Sequence, residues 1–159
     1  MKELERAEEN ISFFYSQEYN QYEKLSLNEI IFIPIEIFNN NSLSSLETVT
    51  KYLKEKLNYR FKDIAFFLNR SQKTVWDAYN SSREKMNSEF DFDKKISFLV
   101  PLFIFKDRSL SFLEALTEYL KENFNLKYCQ IAALLNRDQR TIWTVYQRAK
   151  IKRKKNGKY

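Results

Sequence analysis

The sequence predicts a mainly α fold: two tandem three-helix modules, each preceded by a short extended segment, with one more helix at the N-terminus. Three observations carry that prediction. The chain repeats itself, each copy contains a helix-start motif, and apolar residues recur at three-and-four spacing behind that motif. Sliding the sequence by 67 positions aligns Pro34 to Glu84 with Pro101 to Ile151 without a gap, and 23 of the 51 pairs are identical. The matches include Pro34/Pro101, Ser42/Ser109, Glu47/Glu114, Tyr52/Tyr119, Ile64/Ile131, Asn69/Asn136, Arg70/Arg137, Trp76/Trp143 and Tyr79/Tyr146. A duplicated folding unit explains such a match, so the two copies are expected to fold alike. The expected boundaries are 1–32 for the N-terminal helical segment, 33–85 for the first module, 86–99 for a linker, 100–152 for the second module and 153–159 for a basic tail.

In chain order, the first segment is acidic and aromatic, and Leu4, Ala7, Ile11, Phe14 and Tyr22 fall roughly on one helical stripe. A helix packed on the modules is the expectation. Self-association is the sharper alternative, for which the stripe is short. Each copy then opens on an apolar run around a proline, IFIPIEIF and FLVPLFIF, too short for a helix and rich in Ile, Val and Phe. These read as extended segments, and Pro34 and Pro101 confine them to edges or single-bond pairing, which permits a two-stranded ribbon joining the copies without compelling it. SSLETVTKYLKEKL and SFLEALTEYLKENF follow, each beginning with an S-x-x-E capping box at Ser44/Glu47 and Ser111/Glu114. Leu46, Val49, Leu53 and Leu57, matched by Leu113, Leu116, Leu120 and Phe124, form the apolar face of that helix and are expected in the core.

The next stretch reads FKDIAFFLNRSQKTVWDAYN in the first copy and YCQIAALLNRDQRTIWTVYQRAK in the second. Ala65 and Ala132 are small; Asn69 and Asn136, four residues on, tolerate left-handed backbone; Ser71 and Asp138 are N-cap types. Val75 and Ile142, then Ala78 and Val145, are apolar residues three apart. Over about 23 residues in each copy this pattern resembles the helix-turn-helix family, and more loosely the three-helix form of sigma-factor region 4. The family usually has glycine in the turn, so asparagine is a departure, though it is the next residue best suited to that backbone.

The resemblance implies double-stranded DNA binding, with the second helix of each pair in a major groove. Its groove-facing positions are Ser71, Gln72, Lys73, Trp76, Asp77 and Asn80 in the first copy, and Asp138, Gln139, Arg140, Trp143, Thr144 and Gln147 in the second. Glutamine pairs bidentately with adenine and arginine with guanine, which favours base readout by Gln72, Gln139 and Arg140 over mere phosphate or solvent contact. Arg70 and Arg137 stand in the turns, placed for phosphate, with a salt bridge to a first-helix carboxylate as the alternative. Trp76 and Trp143 carry two readings. The family's geometry turns them toward DNA, but a large aromatic present in both copies is more often core, and packing on the capping-box helix is the preferred reading. Tyr79 and Tyr146 are expected in the core. The C-terminal run RAKIKRKKNGKY holds seven Lys/Arg and no acid, so it is expected to extend the last helix and then fray. Arg148, Lys150, Lys152, Arg153, Lys154 and Lys155 would there add salt-sensitive phosphate contacts; a merely solvating tail is the alternative.

The copies are unequal. Arg140, Thr144 and Arg148 stand where the first copy has Lys73, Asp77 and Ser81, so the second is expected to anchor on DNA while the first tunes register or meets a partner. Phe66 and Phe67, in place of Ala133 and Leu134, leave an extra aromatic for an inter-module or partner interface.

Composition narrows the function classes. The net charge of +6 is uneven: residues 1–32 carry three Lys/Arg against seven Asp/Glu, residues 33–99 eleven against nine, and residues 100–159 thirteen against five, so the basic end is the expected polyanion contact. With no histidine, one cysteine and one glycine, the usual means of zinc ligation, nucleophile activation and phosphate cradling are scarce, and neither an enzyme nor a cofactor is expected. MKELERAEEN is too charged for a signal peptide, and the longest apolar stretch, Ile96 to Phe105, is half a bilayer span and contains Pro101. The expectation is therefore a cytoplasmic, nucleoid-located DNA-binding protein, a transcriptional regulator or nucleoid-associated protein, acting as a monomeric pseudo-dimer or a homodimer. Its site would be asymmetric and bipartite, with half-sites roughly 34 Å apart if both modules share a face. The alternatives are a protein-interaction adaptor of the transcription machinery, meeting its partner through the first module or the N-terminal helix, and an RNA- or ribosome-binding protein.

Overall fold

Ile, Val and Phe favour extended backbone until a proline removes the next ladder donor, and the strands are accordingly short. A computed structural model of the chain describes residues 30–91 and 98–157; the expected N-terminal helix falls on residues 1–29, outside the described ones. Strand β1 (Phe32–Pro34) pairs antiparallel with β2 (Leu99–Pro101), so the ribbon joining the copies is present. Behind each proline, whose φ is −71° in both copies, the run expected to remain extended tightens into a 3₁₀ turn, Ile35–Phe38 and Leu102–Lys106. The fixed proline φ suits a helical start, and turning inward buries Ile35, Ile37 and Phe38 in the first copy and Leu102 and Phe105 in the second.

The rest is helical. The first repeat contains α1 (Ser45–Glu55), α2 (Phe61–Leu68) and α3 (Gln72–Lys85), and the second α4 (Phe112–Phe124), α5 (Tyr128–Leu135) and α6 (Gln139–Lys155). Both capping boxes form: the Glu47 and Glu114 amides donate to Ser44 and Ser111 Oγ at 3.3 and 3.2 Å, and the serine amides donate back to the glutamates at 2.8 Å. Val49, Leu53, Ile64 and Val75 are fully buried, as are their counterparts Leu116, Leu120, Ile131 and Ile142. Leu46, Leu113 and Phe124 are half-buried. Leu57 departs from the expected core and is exposed, because α1 ends at Glu55 and the apolar stripe loses its helix before reaching it. The domain limits also shift: β2 begins inside the expected linker, and α6 takes in residues 153–155 of the expected tail. No described helix is long and apolar enough to cross a membrane.

Four asparagines do the work that glycine usually does. Asn69 and Asn136 end α2 and α5 with φ of 50° and 48°, and Asn58 and Asn125, which sequence reasoning missed, follow α1 and α4 at 54° and 49°. Left-handed backbone costs an ordinary side chain about 1–2 kcal/mol. Asn69→Ala and Asn136→Ala are each expected to lose stability of that order, while the glycine variants stay within about 1 kcal/mol of the parent, as read by thermal unfolding. Equal losses for alanine and glycine would mean that the side chain, and not the backbone, is what the asparagine supplies.

Although the copies are tandem in sequence, they meet through an approximate two-fold axis. Ile33 pairs with Val100, its own counterpart in the repeat, flanked by Phe32 opposite Pro101 and Pro34 opposite Leu99. The equivalent rings of Phe38 and Phe105 lie 6.1 Å apart near that axis. Each 3₁₀ turn packs both on the first helix of its own repeat and on the second helix of the other, so the repeats share one core.

Candidate functional site

The third helix of each repeat is set up by its N-cap and held at both ends. Ser71 Oγ accepts from the Thr74 amide at 3.0 Å, and the Asp138 carboxylate accepts from the Arg140 and Thr141 amides at 2.9 and 3.2 Å, satisfying donors that a helix start leaves over. Toward its far end, α3 is tied to the start of α1 by Lys85–Glu47 at 2.8 Å, and α6 to the start of α4 by Lys152–Glu114 at 2.7 Å. Burial pushes the pKa of both glutamates up, but the lysine and the capping serine outweigh it and hold each below the usual range. Tyr79 and Tyr146 donate to Glu55 and Glu122 and fix the middle of each helix against the first. Tyr146 is buried as expected, whereas Tyr79 is half-buried, with burial and Glu55 raising its pKa.

These attachments turn one face of each helix inward and leave the other outward. On α3 the inner face is Val75, Ala78 and Ser82; on α6 it is Ile142, Val145, Tyr146 and Ala149. Helical spacing therefore collects Gln72, Lys73, Trp76, Asp77 and Asn80 on one outer stripe, and Gln139, Arg140, Trp143, Thr144, Gln147, Arg148, Ile151 and Lys155 on the other. Asn80, Thr144 and Gln147 are half-buried, and the Thr144 hydroxyl donates to the Arg140 carbonyl at 2.9 Å. The preferred packing reading of the tryptophans is overturned: Trp76 is 53% exposed and Trp143 51%. The space against the first helix is already filled by Phe61–Tyr79 and Tyr128–Tyr146, with ring centroids 5.4 and 5.8 Å apart.

The stripes differ electrically. Lys73 and Asp77 form an exposed pair at 2.8 Å, so the first stripe is locally neutral, whereas Arg140, Arg148, Lys154 and Lys155 are exposed on α6. Lys150 lies over the Tyr146 ring, 5.5 Å from its centroid.

Four basic residues expected at phosphates are engaged elsewhere. Arg137 donates to the Asn40 and Leu43 carbonyls at 2.6 and 3.0 Å, across the junction into the first repeat. Arg70 donates to the Leu68 and Asn69 carbonyls and stacks on Phe112 of the second repeat, 5.3 Å from its centroid. Burial, then Arg108, lowers its pKa, with Asp107 working the other way. Neither arginine adopts the alternative salt bridge to its own first helix. Lys152 is paired with Glu114, and Arg153 with Glu118 at 2.6 Å and with Asp107, so these two side chains lock α6 onto its own module. The basic run resembles loose charge because its carboxylate partners lie 35 to 46 residues earlier. One sequence signal was available: Lys85 and Lys152 are identical, and each follows its glutamate by 38 residues.

Of the two extra aromatics, Phe67 packs edge-on to Tyr59 at 5.1 Å. Phe66 stays 69% exposed, with Lys106 of the other repeat over its ring. No protein-family model, curated protein or solved structure matches this chain.

Proposed function

We propose that the chain binds double-stranded DNA through α3 and α6, each the reading helix of a helix-turn-helix pair, in transcriptional regulation or nucleoid organisation. The observation that carries this reading is the pair of half-exposed tryptophans, Trp76 and Trp143, on the same outer stripes as Gln72, Gln139 and Arg140. Leaving a large indole in water in both copies has no packing benefit, and it suits a surface that meets thymine methyls and sugars while neighbouring amides and guanidinium read base edges. The positive charge on the second stripe supports phosphate attraction around it.

The double variant W76A/W143A tests the proposal. Because both rings are exposed, its thermal midpoint is expected to stay within a few degrees of the parent, while its affinity for duplex DNA falls about tenfold or more. A large drop in midpoint with unchanged affinity would make the tryptophans structural and remove the main support. A second reading, a protein-binding adaptor, is favoured by one observation, the exposed Phe66 ring on α2, whose counterpart Ala133 offers no such surface.

A further inference from the structure

We infer that the duplex site of this protein is an inverted repeat with two unlike halves, even though its modules follow one another head to tail in the sequence. The inference rests on the duplex-binding reading above and adds the orientation of the two half-sites.

Modules strung along a linker and following a groove meet DNA in the same orientation, and their subsites form a direct array. The ribbon imposes a different relation here. With a repeat of 67 residues, an antiparallel pair centred on Ile33 and Val100 joins a residue to its own counterpart, and that is a local two-fold axis. The hydrogen bonds on either side obey the same symmetry: the Ile35 amide donates to the Phe98 carbonyl at 3.0 Å, and its counterpart Leu102 donates to Ile31 at 2.8 Å. Farther out, the exchange continues at the ends of the second helices. Asn39 Nδ2 donates to the Ala133 carbonyl at 3.4 Å, and Asn69 Nδ2 to the Lys106 carbonyl at 3.2 Å. Arg137 reaches the first repeat's loop at Asn40 and Leu43, while Arg70 stacks on Phe112 just beyond the matching loop of the second.

These contacts run from the axis to the turns immediately before α3 and α6. The two reading helices are thus oriented by one symmetric junction and not by the linker. A two-fold pair of helices on one duplex presents the same end to each strand, so the two half-sites run in opposite directions. The symmetry is of backbone and not of chemistry. Lys73 and Asp77 stand on one outer stripe where Arg140 and Thr144 stand on the other, so the halves differ in sequence.

The test uses the full chain. Duplexes recovered from a random library define the two half-sites, which are then recombined at constant spacing as inverted and as direct pairs and titrated by fluorescence anisotropy. The inverted arrangement is expected to bind at least about tenfold more tightly than the direct one. Equal or tighter binding of the direct pair, or recovery of a single half-site only, would overturn the inverted-repeat inference while leaving duplex binding intact. Recovery of no duplex at all would instead remove the reading on which it rests.

Discussion

Arg153→Met is expected to cost about 2–4 kcal/mol of stability at neutral pH, the largest loss anticipated for a substitution outside the apolar core. Arg153 is mostly buried and joins Glu118 on α4 to Asp107 in the loop before it, so removing the guanidinium leaves two partly buried carboxylates without their cation. Burial pushes the Asp107 pKa up, yet the Ser109 hydrogen bonds and Arg153 overcome it and hold the carboxyl well below its usual range. A depressed carboxylate contributes stability above its unfolded pKa of about 3.9 and loses it as pH falls through the folded value. The gap between parent and variant is therefore expected to be full at neutral pH and to narrow as the pH falls into the carboxylate range, where the variant's carboxylates take up protons and no longer need the guanidinium. The first repeat has Asn40, Lys51 and Met86 at the three matching positions, a different polar solution in the same frame, with Lys51 paired to Glu55 at 2.8 Å. The triple variant D107N/E118K/R153M is thus expected to recover most of the loss in chemical denaturation. A triple variant as weak as R153M would show that the ion network is not the cause.

Arg140→Ala is expected to lower affinity for a selected duplex by about 5- to 150-fold, the range of one good bidentate base contact. Lys73→Ala, at the matching position, is expected to lower it by less than about threefold, because the Lys73 charge is already opposed by Asp77 one turn on and exposed pairs of this kind are worth little. Arg140 stands on a stripe with Arg148, Lys154 and Lys155 and no acid between them, so its removal also reduces attraction for the phosphates around the groove. Titration of both variants at two salt concentrations separates these effects: a lost base contact persists at high salt, and a lost phosphate contact shrinks. Equal losses would contradict the unequal division of labour between the repeats.

Features enforced within a few residues were legible in the sequence. The capping boxes at Ser44 and Ser111 and the N-caps at Ser71 and Asp138 depend on a side chain meeting its own backbone nearby, and the left-handed turns at Asn69 and Asn136 on a residue type that tolerates positive φ. The repeat itself exposed the shared apolar faces, and comparing the copies marked the electrical difference between the outer stripes. Features set by distant contacts were not legible. Arg137 finds its acceptors 94 and 97 residues away, and nothing in the local pattern distinguishes it from a phosphate ligand. Arg153 and Lys152 look like tail charge until the fold brings α4 alongside them. The tryptophans were misjudged because average burial argues for the core, whereas here Tyr79 and Tyr146, one turn farther along, already occupy the space against the first helix. The two-fold axis was the least accessible feature. A tandem repeat is compatible with translation or rotation between its copies, and only the strand register decides between them.

The most direct test of duplex reading by α3 and α6 is selection from a random double-stranded library by the purified full chain, at two salt concentrations and with RNA as competitor. Enrichment of a two-part motif that resists both salt and RNA, and that weakens strongly at one part in R140A and only slightly at the other in K73A, is the predicted result. Recovery of no enriched sequence, or displacement of duplex by RNA, would contradict the account.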